Sequence, residues 1–221
     1  MNNSIRPIII DTRKEYLYSN IKILENTLNI LKNISTINTI RPILYTTLEF
    51  NHPDIDYYKI NNIKSIGDYN KFCIKFGYIW PDNSNALFCQ NDGFALNASK
   101  WRDEFMEYDY IGSPWGTDRP YHKRVGNGGF SLRSSKLLKL VTEIIPPMEY
   151  PEDLLICDIY HDQLANKGIK FAPVEVAMHF SYDTDIVPQR NFGMDNTFGF
   201  HGWGNRDEVL KKYNIDIRKK I

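Results

Sequence analysis

One histidine near the C-terminal end of the chain, His201, stands in a segment whose composition suits a ligand site. The segment FGFHGWG, residues 198–204, places glycines and aromatic residues on both sides of it. Glycines let the backbone bend and let a ligand approach closely, and aromatic rings can exclude water. Neutral imidazole is a common metal ligand, but a single histidine also packs in cores, lies on surfaces or stacks on rings. The segment alone therefore leaves a metal or phosphate role open beside those structural ones.

Two short polar stretches follow apolar runs that are typical of buried strands. DTR (11–13) follows the run RPIII (6–10), and QND (90–92) ends the run NALFCQND (85–92). Ligands of open α/β sheets bind outside the carboxyl ends of strands, so both stretches are predicted to face one crevice if the strands are parallel. A carboxylate there can hold a hard cation, which can neutralise a diphosphate. The alternative for Asp92 is an ordinary Asn-Asp-Gly turn, which the spacing alone favours.

The segment VGNGGFSLR (125–133) is rich in glycine but matches no nucleotide-binding fingerprint. It lacks the G-x-G-x-x-G spacing, it precedes a predicted strand, and no Lys-Ser/Thr pair follows its glycines as in a Walker loop. Three glycines in four residues are more than a single turn or bulge requires. We therefore favour a close approach of the backbone to a ligand, with bare N–H groups available to it.

Two acidic residues, Glu152 and Asp153, begin a predicted helix. Acids in a first turn stabilise the helix dipole, which is a sufficient structural explanation of their position. The same end of a helix favours an ionised carboxylate, the form that a general base needs. Periodicity does not distinguish the two roles.

Strand and helix patterns alternate along the chain and predict an α/β fold with parallel strand pairs. The predicted elements are, in chain order, a strand at 6–10, a helix from Leu17 to Leu31, strands at 41–47 and 56–60, a helix from Tyr69 to Phe76, a strand at 85–92, a strand and a helix within 126–145, a helix at 151–168, a strand at 169–181 and a polar helix in the tail. No linker or repeat interrupts this order, so we expect one domain.

The composition excludes some classes of function. Lysine plus arginine and aspartate plus glutamate number 27 each, so the formal net charge is zero. A nucleic-acid binder that works through bulk charge is therefore not expected. Three cysteines, few and odd in number, predict free thiols in a reducing compartment. No signal peptide and no run of membrane-spanning length is recognised, which predicts a cytoplasmic protein.

Six blocks in this order resemble a domain family, with members in bacteria, microbial eukaryotes and large DNA viruses, that is grouped with GT-A-type glycosyltransferases. They are LFCQNDGFALN, YDYIGSPW, VGNGGFSLRS, PED, KFAPVEVAMHFS and FGFHGW, within roughly residues 5–204. The resemblance implies a single α/β, GT-A-like (Rossmann-like) domain whose central mixed, mostly parallel sheet is flanked by helices. It also implies a nucleotide-binding half at 1–92, an acceptor and catalytic half at 93–205 and a tail at 206–221.

The resemblance further implies an activity, namely transfer of a sugar with inversion from a nucleotide-diphosphate sugar to an acceptor hydroxyl. Asp92 matches the second acid of the family's metal-binding Asp-x-Asp motif, whereas Gln90 replaces the first acid and puts the need for Mn²⁺ or Mg²⁺ in doubt. His201 matches a histidine that completes the metal or diphosphate site. Asp153 matches the catalytic base, and Glu152 would hydrogen-bond the donor or the acceptor sugar.

Further residues are expected to bind the two substrates. Trp115 would stack on an acceptor sugar or pack within the protein, and the sequence favours neither. The expected partners are a nucleotide-diphosphate sugar and a glycan or other hydroxyl acceptor, without nucleic acid or a membrane span, in the cytoplasm or, for a viral chain, the host cytoplasm. The residues predicted to bind the donor are Thr12, Arg13, Gln90, Asn91, Asp92, Gly126, Asn127, Gly128 and Gly129.

Two other functions remain open at this stage. A non-catalytic module that binds sugar or nucleotide on the same scaffold is favoured by Gln90 in place of an acid. The Glu152–Asp153 pair and His201 favour an enzyme, because binding alone needs neither a base nor a group that stabilises a leaving diphosphate. A sugar nucleotidyltransferase ranks last, because DTRKEY (11–16) lacks the glycine-rich activating loop expected there.

Overall fold

The computed structural model describes residues 3–81, 83–183 and 193–217, which form alternating strands and helices. No helix within these ranges has the length and apolar composition needed to cross a bilayer. The strands are β1 (Ser4–Ile10), β2 (Asn38–Thr39), β3 (Ile43–Thr46), β4 (Asp56–Lys59), β5 (Asn85–Cys89), β6 (Gly93–Ala95), β7 (Tyr110–Ile111), β8 (Ser113–Pro114), β9 (Val125–Gly126), β10 (Ser131–Arg133), β11 (Ser181–Asp183) and β12 (Gly199–His201). The α-helices are α1 (Leu17–Lys32), α2 (Ile66–Lys75), α3 (Ser135–Ile144), α4 (Glu152–Leu154), α5 (His161–Asn166), α6 (Val174–Phe180) and α7 (Arg206–Lys212).

The main sheet has the strand order β4-β3-β1-β5-β10-β7, with β2 beside β1. Strands β4, β3, β1 and β5 are parallel, and β10 is antiparallel to both β5 and β7. Because helices cover both faces, β1, β3 and β5 are almost continuously apolar and buried, as parallel strands commonly are. The predicted mixed, mostly parallel α/β sheet is confirmed.

Alternate side chains of β1 enter the cores on the two faces of this sheet. Ile9 packs in one apolar cluster with Leu24 of α1, whereas Ile8 packs in the opposite cluster with Phe76 and with Leu138 of α3. This alternation is what a strand buried on both faces requires. The sheet is thereby clamped between α1 on one side and the α2–α3 pair on the other.

A second, three-stranded sheet places β12, near the C-terminal end, beside the QND turn (90–92). Its order is β11-β12-β6, with β12 parallel to β11 and antiparallel to β6. The pairing places His201 opposite both Gly93 and Asp183. A tight turn in which the Gln90 N–H donates to the Gly93 carbonyl at 2.7 Å connects β5 to β6. The register therefore places the C-terminal histidine beside Asp92.

Two sequence predictions in the second half are wrong. The segment 169–181 is mostly helical, because α6 begins after Pro173, where the missing N–H of proline is tolerated. Its buried residues Ala177 and Phe180 are three apart, which is a helical spacing that the alternating apolar pattern concealed. The predicted continuous helix at 151–168 is divided into α4, a π-helical segment Leu155–Ile159 and α5.

Candidate active site

The carboxyl ends of β1 and β5 lie side by side and open into a cleft of about 390 Å³. The cleft is lined by residues 11–13 and 90–92 from these two strand ends, by residues 63–66, by Tyr69 of α2 and by Trp203. Its volume falls within the roughly 300–1,000 Å³ of small-molecule sites. The two polar stretches share one crevice at the edge where open α/β sheets bind their ligands.

In the first polar stretch, DTR (11–13), the two charged side chains pair with each other. Both side-chain nitrogens of Arg13 that face Asp11 donate to its carboxylate at 2.9 Å, yet half of the Arg13 side chain remains exposed at the cleft. The Thr12 hydroxyl donates to the Ile63 carbonyl at 3.2 Å and accepts from the Ile63 N–H at 3.0 Å. Thr12 therefore fixes the opposite wall of the cleft, while Arg13 places a guanidinium at its rim.

Three ionisable side chains meet at the end of the second sheet. His201 Nε2 lies 3.7 Å from Asp92 Oδ2, and His201 Nδ1 lies 3.8 Å from Asp183 Oδ2. Burial lowers the pKa of His201, but the carboxylates of Asp183 and Asp92 outweigh it and raise that pKa overall. Burial also raises the pKa of Asp92, and His201 offsets part of this shift. Two carboxylates therefore flank one imidazole at this end of the sheet.

Position 129 requires a glycine, because two side chains approach its backbone closely. A Cβ atom at this position would lie 2.1 Å from His201 Nε2 and 2.8 Å from Gln90 Oε1. The Gln90 amide is itself held by a 2.9 Å hydrogen bond from its Nε2 to the hydroxyl of Tyr69. Gln90 and His201 therefore converge on one glycine, next to Asp92.

Asn127 joins the glycine-rich loop to the carboxylate on the far side of His201. Its backbone has φ of +66°, in the left-handed region that asparagine tolerates better than most residues. Its side-chain Nδ2 donates to Asp183 Oδ2, and its Oδ1 accepts from the Gly129 N–H at 3.3 Å. The Asn127 side chain thus supports the cluster, whereas the sequence had assigned it to donor binding.

Asp153 enters the same site from the start of α4. Its Oδ2 accepts from the Gly128 N–H at 3.2 Å, and its Oδ1 accepts from the Leu154 N–H at 2.9 Å. Its charge also raises the pKa of His201. The π-helical segment Leu155–Ile159 follows directly, and such segments frequently occur at functional sites. Consecutive glycines therefore contact the Asp153 carboxylate and the His201 imidazole.

The carboxylate of Glu152 forms a buried ion pair with Arg133. Its Oε1 and Oε2 each accept from the guanidinium of Arg133 at 2.9 Å, and both side chains are almost completely buried. Arg133 Nη2 also donates to the Gly128 carbonyl at 3.2 Å. Burial raises the pKa of Glu152, and Arg133 opposes that shift. Arg133 thus donates to both oxygens of Glu152, and the sugar contact expected of Glu152 stays a prediction.

Asn91 is also occupied by the protein itself. Its Oδ1 accepts from Ser19 Oγ at 2.7 Å and from Arg206 Nη2 at 3.1 Å, and its Nδ2 donates to Asn20. Arg206 Nε additionally donates to the Asn91 carbonyl at 2.7 Å. The Asn91 side chain therefore ties α1 and α7 to the QND turn, and its contact with a nucleotide stays a prediction.

Trp115 packs between a glycine and an arginine, outside the residues that line the cleft in the described ranges. A Cβ atom on Gly126 would lie 2.0 Å from its ring, and the guanidinium of Arg119 covers the ring at 4.6 Å. Gly126 thus accommodates the indole, instead of presenting open backbone there. An acceptor contact by Trp115 stays a prediction.

The chain matches the family described as "Protein of unknown function (DUF5672)" over residues 53–201, more than half of its length. It belongs to this family. The matched DUF5672 region runs from just before β4 to His201 and contains Gln90, Asp92 and Asp153. No curated protein matches the chain by sequence.

Among solved structures, this DUF5672 member is similar to a glycosyltransferase involved in the glycosylation of the major capsid of PBCV-1. The TM-score is 0.53 at 11% sequence identity, and the alignment covers 96% of this chain and 99% of that one. The likeness shows that the chain has a glycosyltransferase-like fold.

Two residues of the site in this DUF5672 chain were not predicted from the sequence. Asp183 lies at the end of β11 and faces His201, and Arg133 ends β10 and binds Glu152. An arginine at the end of an apolar strand is a usable signal, because an arginine is rarely buried without a carboxylate partner. Asp183 offers no such local signal, since it depends on the pairing of β11 with β12.

Proposed function

We propose that this protein is a glycosyltransferase that moves a sugar from a nucleotide-diphosphate sugar to an acceptor hydroxyl, with inversion at the anomeric carbon. One observation carries the proposal. Gly128 touches the Asp153 carboxylate, and the next residue, Gly129, touches the His201 imidazole beside Asp92. The proposed base, Asp153, and the proposed diphosphate site at Asp92 and His201 thus lie against two consecutive residues of one loop. The glycosyltransferase-like fold supports this assignment.

The cleft between the ends of β1 and β5 would take the nucleoside part of the donor. Thr12 braces one wall, Arg13 presents a partly exposed guanidinium to an anion, and Gln90 supplies a neutral amide beside the glycines. The diphosphate would then extend towards Asp92 and His201, at the inner end of the QND turn. This arrangement leaves the sugar facing Gly128 and Asp153.

The residues present fit a divalent cation such as Mn²⁺. Asp92 Oδ2 and His201 Nε2 face each other at 3.7 Å, too far for a hydrogen bond, and carboxylate oxygen and imidazole nitrogen are both established metal ligands. Asp183 Oδ2 lies 3.8 Å from the other ring nitrogen and adds a second negative charge beside the site. Asp92 and His201 would hold the ion, which when bound neutralises charge on the departing diphosphate.

In the proposed transfer step, Asp153 acts as the base and backbone N–H groups hold its carboxylate. Asp153 accepts the proton of the acceptor hydroxyl while that oxygen forms a bond to the anomeric carbon. The bond from the anomeric carbon to the diphosphate oxygen breaks, and the nucleoside diphosphate leaves with the electron pair. The N–H groups of Gly128 and Leu154 hold the Asp153 carboxylate in place during this step. A positioned base of this kind contributes about 10²–10⁴-fold.

Binding of a nucleoside diphosphate is expected to raise the melting temperature in the presence of Mn²⁺. A ligand at 100 times its dissociation constant stabilises by about 2.7 kcal/mol, which corresponds to about 5–10 °C for a domain of this size. Differential scanning fluorimetry with UDP, GDP, CDP and dTDP, each with Mn²⁺ or EDTA, measures the shift. Release of nucleoside diphosphate from the matching donor sugar then measures turnover.

Variants identify where the shift originates. Asp92→Asn and His201→Ala should each abolish the part of the shift that EDTA removes, whereas His179→Ala on α6 should keep it. No shift with any of the four nucleotides, from folded protein, would contradict the donor site. A shift without sugar transfer or hydrolysis would instead favour a non-catalytic binding module, the function that Gln90 in place of an acid suggests.

Gly129→Ala is expected to remove the Mn²⁺-dependent shift while the protein still folds. The added methyl group would collide with the end of the His201 side chain, which can rotate away at the expense of its position next to Asp92. Overpacking of this kind typically costs about 1–3 kcal/mol of folding free energy. Gly204→Ala is the matched control in the same C-terminal segment, because its added Cβ meets nothing within 4 Å. An unchanged shift in Gly129→Ala would show that His201 does not contribute.

A further inference from the structure

A second group of possible metal ligands lies on a different part of the chain from the QND turn. His122, His161 and Asp162 each offer one ligand atom, and these atoms lie within 4.8 Å of one another. His161 Nδ1 is 2.9 Å and His122 Nε2 is 3.6 Å from Asp162 Oδ1. His122 belongs to the single 3₁₀ turn Tyr121–Lys123, while the other two residues begin α5. The group therefore joins a surface loop to a helix.

We propose that these three side chains form a zinc site that fastens loop 116–124 to the start of α5. Zinc typically has four ligands at about 2.0–2.1 Å from nitrogen or oxygen, which places neighbouring ligand atoms about 3.3 Å apart. The two separations from Asp162 Oδ1, 2.9 and 3.6 Å, bracket this value, and the ligand atoms of the two histidines lie within 4.8 Å of each other. Two imidazoles and one carboxylate are a ligand set that suits zinc, and water completes the fourth position.

The surroundings of His161 hold its ring ready for an ion. The ring is buried and packs on Phe171 with centroids 4.2 Å apart, so its orientation is fixed. Within the described part of the chain, its Nε2 finds no hydrogen-bond partner, so Nδ1 is the nitrogen that meets a polar group.

The two exposed members complete the site from the solvent side. The side chains of His122 and Asp162 are 60% and 64% exposed, which leaves room for water on the ion. Asp162 has two oxygens with separate tasks, because Oδ2 accepts from Lys123 Nζ at 2.9 Å while Oδ1 faces the histidines.

The expected consequence of zinc binding is a more rigid loop. Loop 116–124 leads into β9, where Gly126 packs on Trp115, and it carries Lys123 and Arg124 as potential trypsin sites. Fastening the 3₁₀ turn to α5 would reduce its local opening and so protect these bonds from cleavage. The site does not depend on the proposed transferase function.

Metal titration of the full chain tests the proposal. Zn²⁺ is titrated against a chromophoric chelator, and Co²⁺ is added separately to record the absorption of a four-coordinate site. We expect one equivalent in His201→Ala, in which the Asp92–His201 site is removed, and binding at least about tenfold weaker when His122→Ala or Asp162→Asn is added to that variant. Because His122 is exposed, its replacement leaves the core intact. His52→Ala, which removes a histidine paired with Glu25, controls for loss of any histidine.

Limited trypsin digestion supplies a second readout that does not involve activity. Zn²⁺ should slow cleavage within loop 116–124 in the parent and in His201→Ala, but not in His122→Ala. Equal zinc affinity in His201→Ala with and without His122→Ala would overturn the proposal. So would loss of all zinc binding in His201→Ala, because the ion would then belong to the Asp92–His201 site.

Discussion

Asp153→Asn is expected to lower kcat by about 10²–10⁴-fold while the donor still binds. Asparagine has the size of aspartate and keeps one oxygen, so it can still accept from the N–H of Gly128 or Leu154. It cannot take a proton from an acceptor hydroxyl at neutral pH. The loss should therefore appear in kcat and not in KM, because the missing interaction forms only as the proton moves.

The measurement is a steady-state rate with the donor whose nucleotide gives the thermal shift, with kcat and KM determined separately. Asp158→Asn is the control, because it removes a carboxylate from the adjoining π-helical segment that pairs with Arg119 at 3.4 Å. Its kcat should stay near that of the parent. If Asp153→Asn turns over at the parental rate, Asp153 is not the base. If the variant also loses the nucleotide-induced shift, the substitution has acted on binding.

The fold was predictable wherever a local pattern was unambiguous. β1, β3 and β5 are short apolar runs ended by polar residues, and α1 carries leucines at helical spacing, so each is recognisable without its neighbours. The prediction of a strand for the segment that forms α6 was wrong, because its apolar residues fit both a two-residue and a three-residue repeat. Packing of Ala177 and Phe180 into the core decides between them, and that packing is a property of the whole chain.

The site residues at the ends of strands and helices could be predicted from the sequence. The contacts between residues from distant parts of the chain could not. QND and PED could be located because each follows a recognisable boundary, and ligand sites of α/β folds lie at such boundaries. The partners of these residues come from other parts of the chain. Arg133 captures Glu152 from 19 residues earlier, and the β11–β12 pairing sets Asp183 opposite His201. Single residues could therefore be located from the sequence, but the residues that hold them in place could not.

Breaking the Arg133–Glu152 pair is expected to have the largest effect on stability. Glu152→Gln keeps the volume of the side chain but removes its charge, leaving a guanidinium with no exposed surface uncompensated in the core. Removing one partner of a buried ion pair typically costs about 3–5 kcal/mol, a large share of the roughly 5–15 kcal/mol that stabilises a domain. Urea denaturation, followed through the midpoint and slope, measures this loss.

Two companion variants separate the causes of that loss. Glu149→Gln removes one partner of the exposed Lys71–Glu149 pair at 2.6 Å, and its midpoint should change little because water already solvates both groups. Arg133→Met combined with Glu152→Leu removes both buried charges, and it should recover most of the stability that Glu152→Gln loses. A Glu152→Gln protein as stable as the parent would contradict a buried, charged pair.

The double variant also reveals whether the pair serves the reaction. Arg133 Nη2 donates to the Gly128 carbonyl, and the Gly128 N–H donates to Asp153, so the pair fixes the peptide that orients the proposed base. Methionine and leucine can fill the core but cannot hold that carbonyl. Recovered stability with a kcat that remains low and a nucleotide-induced shift that is unchanged would identify Arg133 and Glu152 as positioning residues. Recovery of both stability and kcat would restrict them to stabilising the fold.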